Sequence, residues 1–409
     1  MKPVIIVGAG LSGLACALAL HAAGREVVVL EQSDGVGGRV RTDEVEGFLL
    51  DRGFQVYLDA YPTAGRLLDL EALDLRAFEP GALVYDGKKL HRVMDVFRRP
   101  SALVSSAFSP VGSLIDKLRV ALLRWRILRT DLNEILSRPD GSTEDSLRQA
   151  GFSEGMIEVF FRSFYGGIFL ERDLRTSSRM FEFTFKMFSE GSATVPAGGM
   201  QRIPEQLAAR LPEGTIRLKQ KVERVAKDGV AVAGGEWLEA SRVVVATDAS
   251  VAGALVPAFQ AHETGWRSVT NLYFAAEQSP LQEPIIALNG SGEGLVNNVA
   301  VMSDLSSQYA PKGRALVSVS LLGHHPDDDI PGRVKKELRA WFGDAVLHWE
   351  HLRTDLIKRA LPEQKVTEVV GTREFEGVLV CGDHAVSASI DGAVQSGQAA
   401  ATAILEGSL

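Results

Sequence analysis

The first forty-two residues constrain this chain more than any other stretch. Pro3 to Val7 (PVIIV) is a short continuous apolar run, which predicts a strand buried on both faces. Gly8-Ala9-Gly10-Leu11-Ser12-Gly13 follows at once, a G-x-G-x-x-G turn, and a small-residue helix pattern runs from Leu11 to Ala23 and stops at Gly24. Val27 to Leu30 predicts a second buried strand, ending in Glu31. Each position has a mechanical reading. Gly8 permits the tight turn, Gly10 lets the backbone approach a pyrophosphate, and Gly13 allows close packing of helix on strand. The helix start at Leu11 and Ser12 offers free N–H groups and a partial positive charge to phosphates. Glu31, eighteen residues after Gly13, is placed to accept hydrogen bonds from a ribose. Lys2 and the Ala-rich run bear some likeness to a signal peptide. Three glycines at fixed spacing and a following strand fit a dinucleotide fold better.

After Glu31 comes Gln32-Ser33-Asp34-Gly35-Val36-Gly37-Gly38-Arg39-Val40-Arg41-Thr42. Two adjacent glycines let a loop lie flat on a cofactor, and Arg39 or Arg41 can offset diphosphate charge. This stretch resembles the signature of the flavin-dependent amine oxidase, phytoene desaturase and protoporphyrinogen oxidase superfamily, in which G-G-R follows the ribose-binding Glu. The resemblance implies FAD as cofactor, with Gln32, Gly37, Gly38 and Arg39 beside it. Later segments carry the same likeness. Thr194 to Met200 resembles the P-x-G-G-M turn that returns to the FAD domain before a helix, here Ile203 to Leu211. Lys221-Val222-Glu223-Arg224-Val225, in a strand expected over 216–227, resembles the segment that reaches the adenine through the backbone at Val222. The strand Arg242 to Ala246 ends in Thr247-Asp248, where the family often has A-T-G or A-T-P, which places Ala246 and Thr247 at the cofactor. Ala360-Leu361-Pro362 resembles the A-x-P before the last FAD segment. Gly382-Asp383 ends another buried strand, and Asp383 takes the family's ribityl-binding role. Gly392, Ala393 and Val394 open a final helix running through Ile404, whose N–H groups would face the flavin N1/O2 edge.

The implied fold class is α/β: a discontinuous Rossmann-type FAD-binding domain joined to an α+β substrate-binding domain in the two-domain amine-oxidase arrangement. The FAD domain is expected over 1–60, 195–250 and 363–409, and the substrate domain over 61–194 and 251–362. With 409 residues, 45% hydrophobic and 23% charged, the chain has the makeup of an ordinary globular protein of two domains. A formal net charge of −8 argues against nucleic acid as a partner. Cys16 and Cys381 offer neither a disulfide framework nor a metal cluster, so a cytoplasmic setting and no metal are expected. No run of eighteen apolar residues predicts a transmembrane helix.

Between the cofactor segments the pattern is less specific. Asp51 and Gly53, in FLLDRGFQVY, match a family position where the chain turns towards the flavin, or mark an ordinary turn. Ala64 to Leu73 predicts a helix. Residues 88–129 hold ten Lys or Arg against two acids, Asp95 and Asp116. Their apolar residues, including Leu103, Val104, Phe108, Leu114, Leu118, Leu122 and Trp125, fall partly at helical spacing. Two readings stand: a basic amphipathic surface resting on anionic lipid, or a pair of helices with a solvated basic face. Residues 151–188 are helical and rich in Phe, and Gly166-Gly167 would interrupt a helix at the wall of an apolar cavity. Strands are expected over 266–276, 295–302, 314–322 and 345–356, with a helix over 332–342. His324 to Asp329 are consecutive rather than spaced around an ion, which favours a solvated loop.

The family's chemistry is hydride transfer from a substrate carbon to flavin N5, which needs no dedicated acid/base pair. Amine oxidases of the family commonly carry a Lys near N5. The corresponding strand, Ser268 to Phe274, has none, and Ser387-Ala388-Ser389 supplies small residues where an aromatic cage would sit. FAD is expected to be non-covalent, since Cys381 belongs to a strand beneath the cofactor. These departures favour oxidation, desaturation or flavin-assisted isomerisation of a bulky apolar substrate, isoprenoid-like or polycyclic, with peripheral membrane contact through 88–129. An amine oxidase with an unusual site and a non-turnover FAD-binding subunit are the alternatives. His384, Tyr165 and Asn297 are the candidate catalytic side chains, His384 because it follows Gly-Asp and titrates in a useful range.

Overall fold

The two apolar runs at the start of the chain form β1 (Val4–Val7) and β2 (Val27–Leu30), every residue buried. α1 (Leu11–Ala22) crosses between them, and the strands pair in parallel with Val4 opposite Val27. The computed structural model describes residues 2–102, 111–262, 265–364 and 372–407. A strand without a polar face must be covered on both sides. One side of this sheet lies under α1 and the C-terminal helix (Ile390–Glu406), where Ile6, Val29, Val244 and Leu379 join the main core. The other side, with Ile5, Val28, Val243 and Val378, is covered by the small meander that contributes Val230 and Val232. The full sheet has six strands, in the order Ile216–Arg217, β2, β1, Arg242–Val245, Val378–Val380 and Arg373–Phe375. The first five are parallel and the last is antiparallel.

A seven-stranded sheet forms the second layer system, in the order Glu350–Pro362, Trp266–Ala276, Ala315–Leu322, Val296–Val301, Ile286–Asn289, Gly81–Tyr85 and Leu90–Met94. The alternation along these strands sends Leu272, Phe274, Val317 and Val319 to one face, where the amphipathic Ile330–Phe342 helix covers them with Val334 and Leu338. Tyr273, Leu316 and Ala300 point to the opposite face, into the core shared with the helices of residues 114–190.

Several local expectations are corrected. Gly166 and Gly167 do not interrupt a helix: Arg162–Phe169 runs through them and ends at Leu170, which takes a left-handed φ of 53°. The glycines serve close packing instead, since a Cβ on Gly167 would stand 2.8 Å from Asn297 Nδ2. The strand read over 216–227 breaks after Arg217, because the backbone N–H groups of Lys219 and Gln220 turn to the carbonyls of Ser33 and Glu31. It resumes as Val222–Ala226 in the meander. Residues 344–348 form a short 3-10 turn, and the strand starts only at Glu350. Lys335 holds that turn by donating to the carbonyls of Leu347 and Trp349. The helix expected from Ala64 ends at Leu67. Of the described residues in 88–129, Leu90–Met94 is a strand rather than a helix, and Leu114–Arg129 is one long helix. Leu103, Val104 and Phe108 lie outside the described residues.

Candidate FAD site and substrate cavity

Gly8 has φ 105°, and a Cβ there would meet Ala246 O at 2.8 Å, so the turn presses against the end of the Arg242–Val245 strand. Gly10 caps α1 without any side-chain hydrogen bond, which leaves the first N–H groups of the helix open to a ligand. A Cβ on Gly10 would meet nothing within 4 Å, and one on Gly38 would meet only Gly10 Cα, at 3.5 Å. The G-G-R loop is tied alongside by a hydrogen bond from Gly37 N to Ala9 O of 2.8 Å. Together these make a notch walled by backbone over an uncapped helix start. It fits a diphosphate, which needs N–H donors and no intruding side chain. Leu11 and Ser12 are buried beneath it. Glu31, also buried, accepts from the N–H groups of Ala9 and Ser33, each at 2.8 Å, which fixes its carboxylate at the end of β2. Gln32 is exposed beside it.

The remaining cofactor segments converge from distant parts of the chain. Arg39 donates to Asp383 Oδ1 at 2.6 Å and to Ala360 O at 3.0 Å, and lies over the Trp266 ring at 5.7 Å. One guanidinium thus joins the G-G-R, A-L-P and G-D segments. Ala246 N donates to Val7 O, and Thr247 stands next to it at the strand end. Val222 is buried opposite Val232, where a bulge shifts the register before Arg224. Ser389 caps the C-terminal helix by accepting from Gly392 N, with Ala393 closing its first turn and Val394 following it. Asp391 points the other way and accepts from the N–H groups of Thr63 and Ala64, both at 2.7 Å. Burial raises its pKa against those bonds.

A buried carboxylate holds the segment behind this crevice. Asp51 is 1% exposed and accepts from Thr42 Oγ1 (2.6 Å), Met200 N (3.0 Å) and Tyr309 Oη (2.9 Å), while its backbone carbonyl accepts from Tyr273 Oη. Desolvation outweighs the three bonds and pushes the carboxyl up to about 6.

A candidate substrate cavity lies between the C-terminal segment and the helices above the second sheet. Tyr61, Phe169, Met180 and Phe183 form its apolar wall, and Ala388 and Ser389 of the last cofactor segment form another side. Tyr61 and Phe183 are stacked, 6.1 Å between centroids and 11° between planes. A group caged between two rings needs about 7 Å, twice the ~3.5 Å carbon contact distance, so this pair acts as one wall. At the polar end Arg267 bridges Glu171 (3.1 Å) and Glu363 (3.3 Å).

None of the three candidate catalytic side chains is among the residues lining this cavity. Tyr165 is buried in the aromatic core, 4.8 Å from Phe181 between centroids. Asn297 is buried and donates to Ser163 O and Asn298 Oδ1, joining strand to helix. His384 packs its ring on Phe259, on the meander side of the first sheet, and neither ring nitrogen has a hydrogen-bond partner among the described residues. Burial holds its pKa below the ordinary value, against the pull of Asp383. His384→Ala is therefore expected to keep the full rate of flavin reduction at every pH. A stopped-flow rate that fell with the variant, or lost a pH dependence, would return the ring to the chemistry. The sequence reading missed Tyr61, Met180, Arg267 and Gln364, whose gathering at the cavity leaves no local pattern.

An open parallel sheet with an uncapped glycine notch, joined to a largely antiparallel sheet under a helical cap, defines a two-domain flavoprotein. The chain matches the family model for flavin containing amine oxidoreductases over residues 11–405, and it belongs to that family, whose cofactor is FAD. It is 27% identical to phytoene dehydrogenase of Streptomyces griseus over 286 residues, 62% of this chain and 55% of that protein. It is 30% identical to protoporphyrinogen oxidase 2 of Arabidopsis thaliana over 173 residues, 41% of this chain and 32% of that protein. An L-amino-acid oxidase of Bungarus fasciatus is 26% identical over 240 residues, 55% of this chain and 46% of its own. The matches thus span from about a third to just over half of these relatives. Among solved structures, putrescine oxidase bound to putrescine superposes with a TM-score of 0.72 at 18% identity over 99% of both chains. An oxidoreductase from Methanosarcina mazei gives 0.71 at 17% identity, covering 99% of this chain and 100% of that one. At such identities these two establish the fold alone.

Proposed function

We propose that this protein is an FAD-dependent oxidoreductase that oxidises or desaturates a bulky apolar substrate, isoprenoid-like or polycyclic, or isomerises one. The observation that carries this reading is the makeup of the cavity: an aromatic and Met wall facing the small residues Ala388 and Ser389 of the cofactor segment. FAD supplies the hydride acceptor. The chain's own part is to bury an apolar skeleton, exclude water and hold a C–H bond in place. Tyr61, Phe169, Met180 and Phe183 provide the burial, at roughly 25 cal/mol per Å² of apolar surface covered.

The polar end argues in the same direction. An ammonium substrate needs an acid to receive it, but Glu171 and Glu363 both face Arg267. A substrate carboxylate needs a cation, and Arg267 is held between those two acids. Amine oxidation is the second reading, favoured by the L-amino-acid oxidase likeness. The test is product analysis of the holoenzyme with separate isoprenoid, polycyclic and amine panels. A product lighter by one pair of hydrogens, or of unchanged mass and new double-bond position, from an apolar substrate supports the proposal. Consumption of amines alone contradicts it.

A further inference from the structure

The Leu114–Arg129 helix faces its apolar side outwards. Its inner face, Asp116, Leu123 and Ile127, is buried. On the opposite face Leu114, Leu118, Leu122 and Trp125 are 66%, 70%, 63% and 54% exposed. Their spacing of four, four and three residues puts them on one stripe, and the exposed Ile115 and Leu128 widen it. Exposed apolar surface of this extent on one element marks a contact site.

The borders of the stripe are cationic. At about 100° per residue, Lys117 and Arg124 fall on one flank and Arg119 and Arg126 on the other. Arg129 closes the end of the stripe, its guanidinium 4.5 Å from the Trp125 ring centroid. The helix carries five basic residues and one acid, and that acid, Asp116, is buried in the capping box. Arg119, Arg124 and Arg126 are paired with Asp116, Asp95 and Glu182, yet the Arg119 and Arg126 side chains stay 36% and 47% exposed, so the rim of the stripe is basic in a chain whose formal net charge is −8.

The helix is firmly seated. Lys186 donates to the carbonyls of Ile127 and Leu128, Arg124 to Ser189 O at 2.8 Å, and Arg126 to Glu182 at 2.7 Å. All three partners belong to the Ser178–Glu190 helix, whose other side supplies Met180, Phe183 and Thr184 to the cavity. The apolar stripe is thus one helix layer from the substrate site.

We propose that the Leu114–Arg129 helix docks this protein on an anionic lipid bilayer. Leu114, Leu118, Leu122 and Trp125 enter the acyl boundary, and the exposed guanidinium groups of Arg119, Arg126 and Arg129 meet lipid phosphates, while Arg124 stays turned inward on Ser189 and Asp95. Charge complementarity selects this occupant over a second copy of the chain. An isologous pair would set the same cationic borders against each other, and like charges brought together across an interface are costly. The proposal does not rest on the substrate reading, because docking is measured without turnover.

The test is co-sedimentation of the full-length holoprotein with vesicles of phosphatidylcholine alone or mixed with phosphatidylglycerol, at low and high salt. Binding is expected to the anionic vesicles and to weaken with salt. The double variant Leu118→Glu, Trp125→Glu is expected to bind at least about tenfold more weakly, since each side chain loses its apolar burial. Its flavin content and melting temperature should be unchanged. Trp237→Glu, at an exposed position in the meander, is the control and should bind like the parent. No binding to anionic vesicles at low salt overturns the proposal, as does undiminished binding of the double variant. A parent that is dimeric in solution and a double variant that is monomeric would assign the stripe to a second copy and overturn it equally.

Discussion

Gly10→Val is expected to give a folded protein that purifies without flavin colour. A Cβ at this position meets nothing within 4 Å, so the fold tolerates the side chain. The backbone there is extended, with φ −72° and ψ 178°, which a β-branched residue adopts without strain. The added methyls instead occupy the notch over the start of α1, where a diphosphate has to reach the uncapped N–H groups. Gly13→Val is the informative contrast. Its Cβ would lie 2.0 Å from Gly8 O, a backbone atom that cannot move aside, so the fold itself should suffer by about 3 kcal/mol or more. Circular dichroism, melting temperature and the flavin-to-protein absorbance ratio separate the two outcomes. Stoichiometric FAD in a folded Gly10→Val protein would show that the diphosphate binds elsewhere.

The second large effect is at Asp51. Asp51→Ala removes the acceptor for Thr42 Oγ1, Met200 N and Tyr309 Oη, leaving buried donors with nothing to bond. At about 1–3 kcal/mol for each stranded group, with coupling between them, the loss should be about 3–5 kcal/mol, read as a fall in the urea midpoint. Asp51→Asn keeps the shape and one carbonyl oxygen, and isolates the charge. Burial raises the Asp51 carboxyl from 3.8 to about 6. Below the unfolded value both states hold the proton and the group's contribution is fully present. As pH rises the unfolded chain loses its proton first, so stability is lost until the folded value is passed. The parent should therefore lose about 3 kcal/mol relative to Asp51→Asn between about pH 4 and pH 7. A stability difference that stays constant across that range would show that the carboxyl titrates normally.

How much of this could be read from the chain depends on how local each feature is. β1, α1, β2 and the glycine turn follow from apolar runs and fixed spacings within thirty residues, and those patterns are set by backbone sterics. The convergence of Arg39 with Asp383, 344 residues apart, is a matter of topology, and the separate segment motifs carry no record of which side chain meets which. Asp51 stands out in FLLDRG, yet its partners Thr42, Met200, Tyr273 and Tyr309 come from four places. The position of His384 next to Gly-Asp is local information, whereas the side of the sheet its ring takes depends on Phe259. The outer helix shows the same limit. Its charge and helical spacing are plain in the sequence, but an apolar stripe reads alike whether it faces a core or the solvent.

The claim that this fold handles a bulky apolar substrate is tested most directly by anaerobic titration of the flavin. Purified holoprotein is mixed under argon with a lipid extract in liposomes and, separately, with a panel of primary amines and amino acids, while the visible flavin absorbance is followed. The cavity predicts bleaching by the lipid extract and none by the amines. Bleaching by an amine alone would contradict it, and would mean that the acids beside Arg267 release that residue to receive an ammonium group.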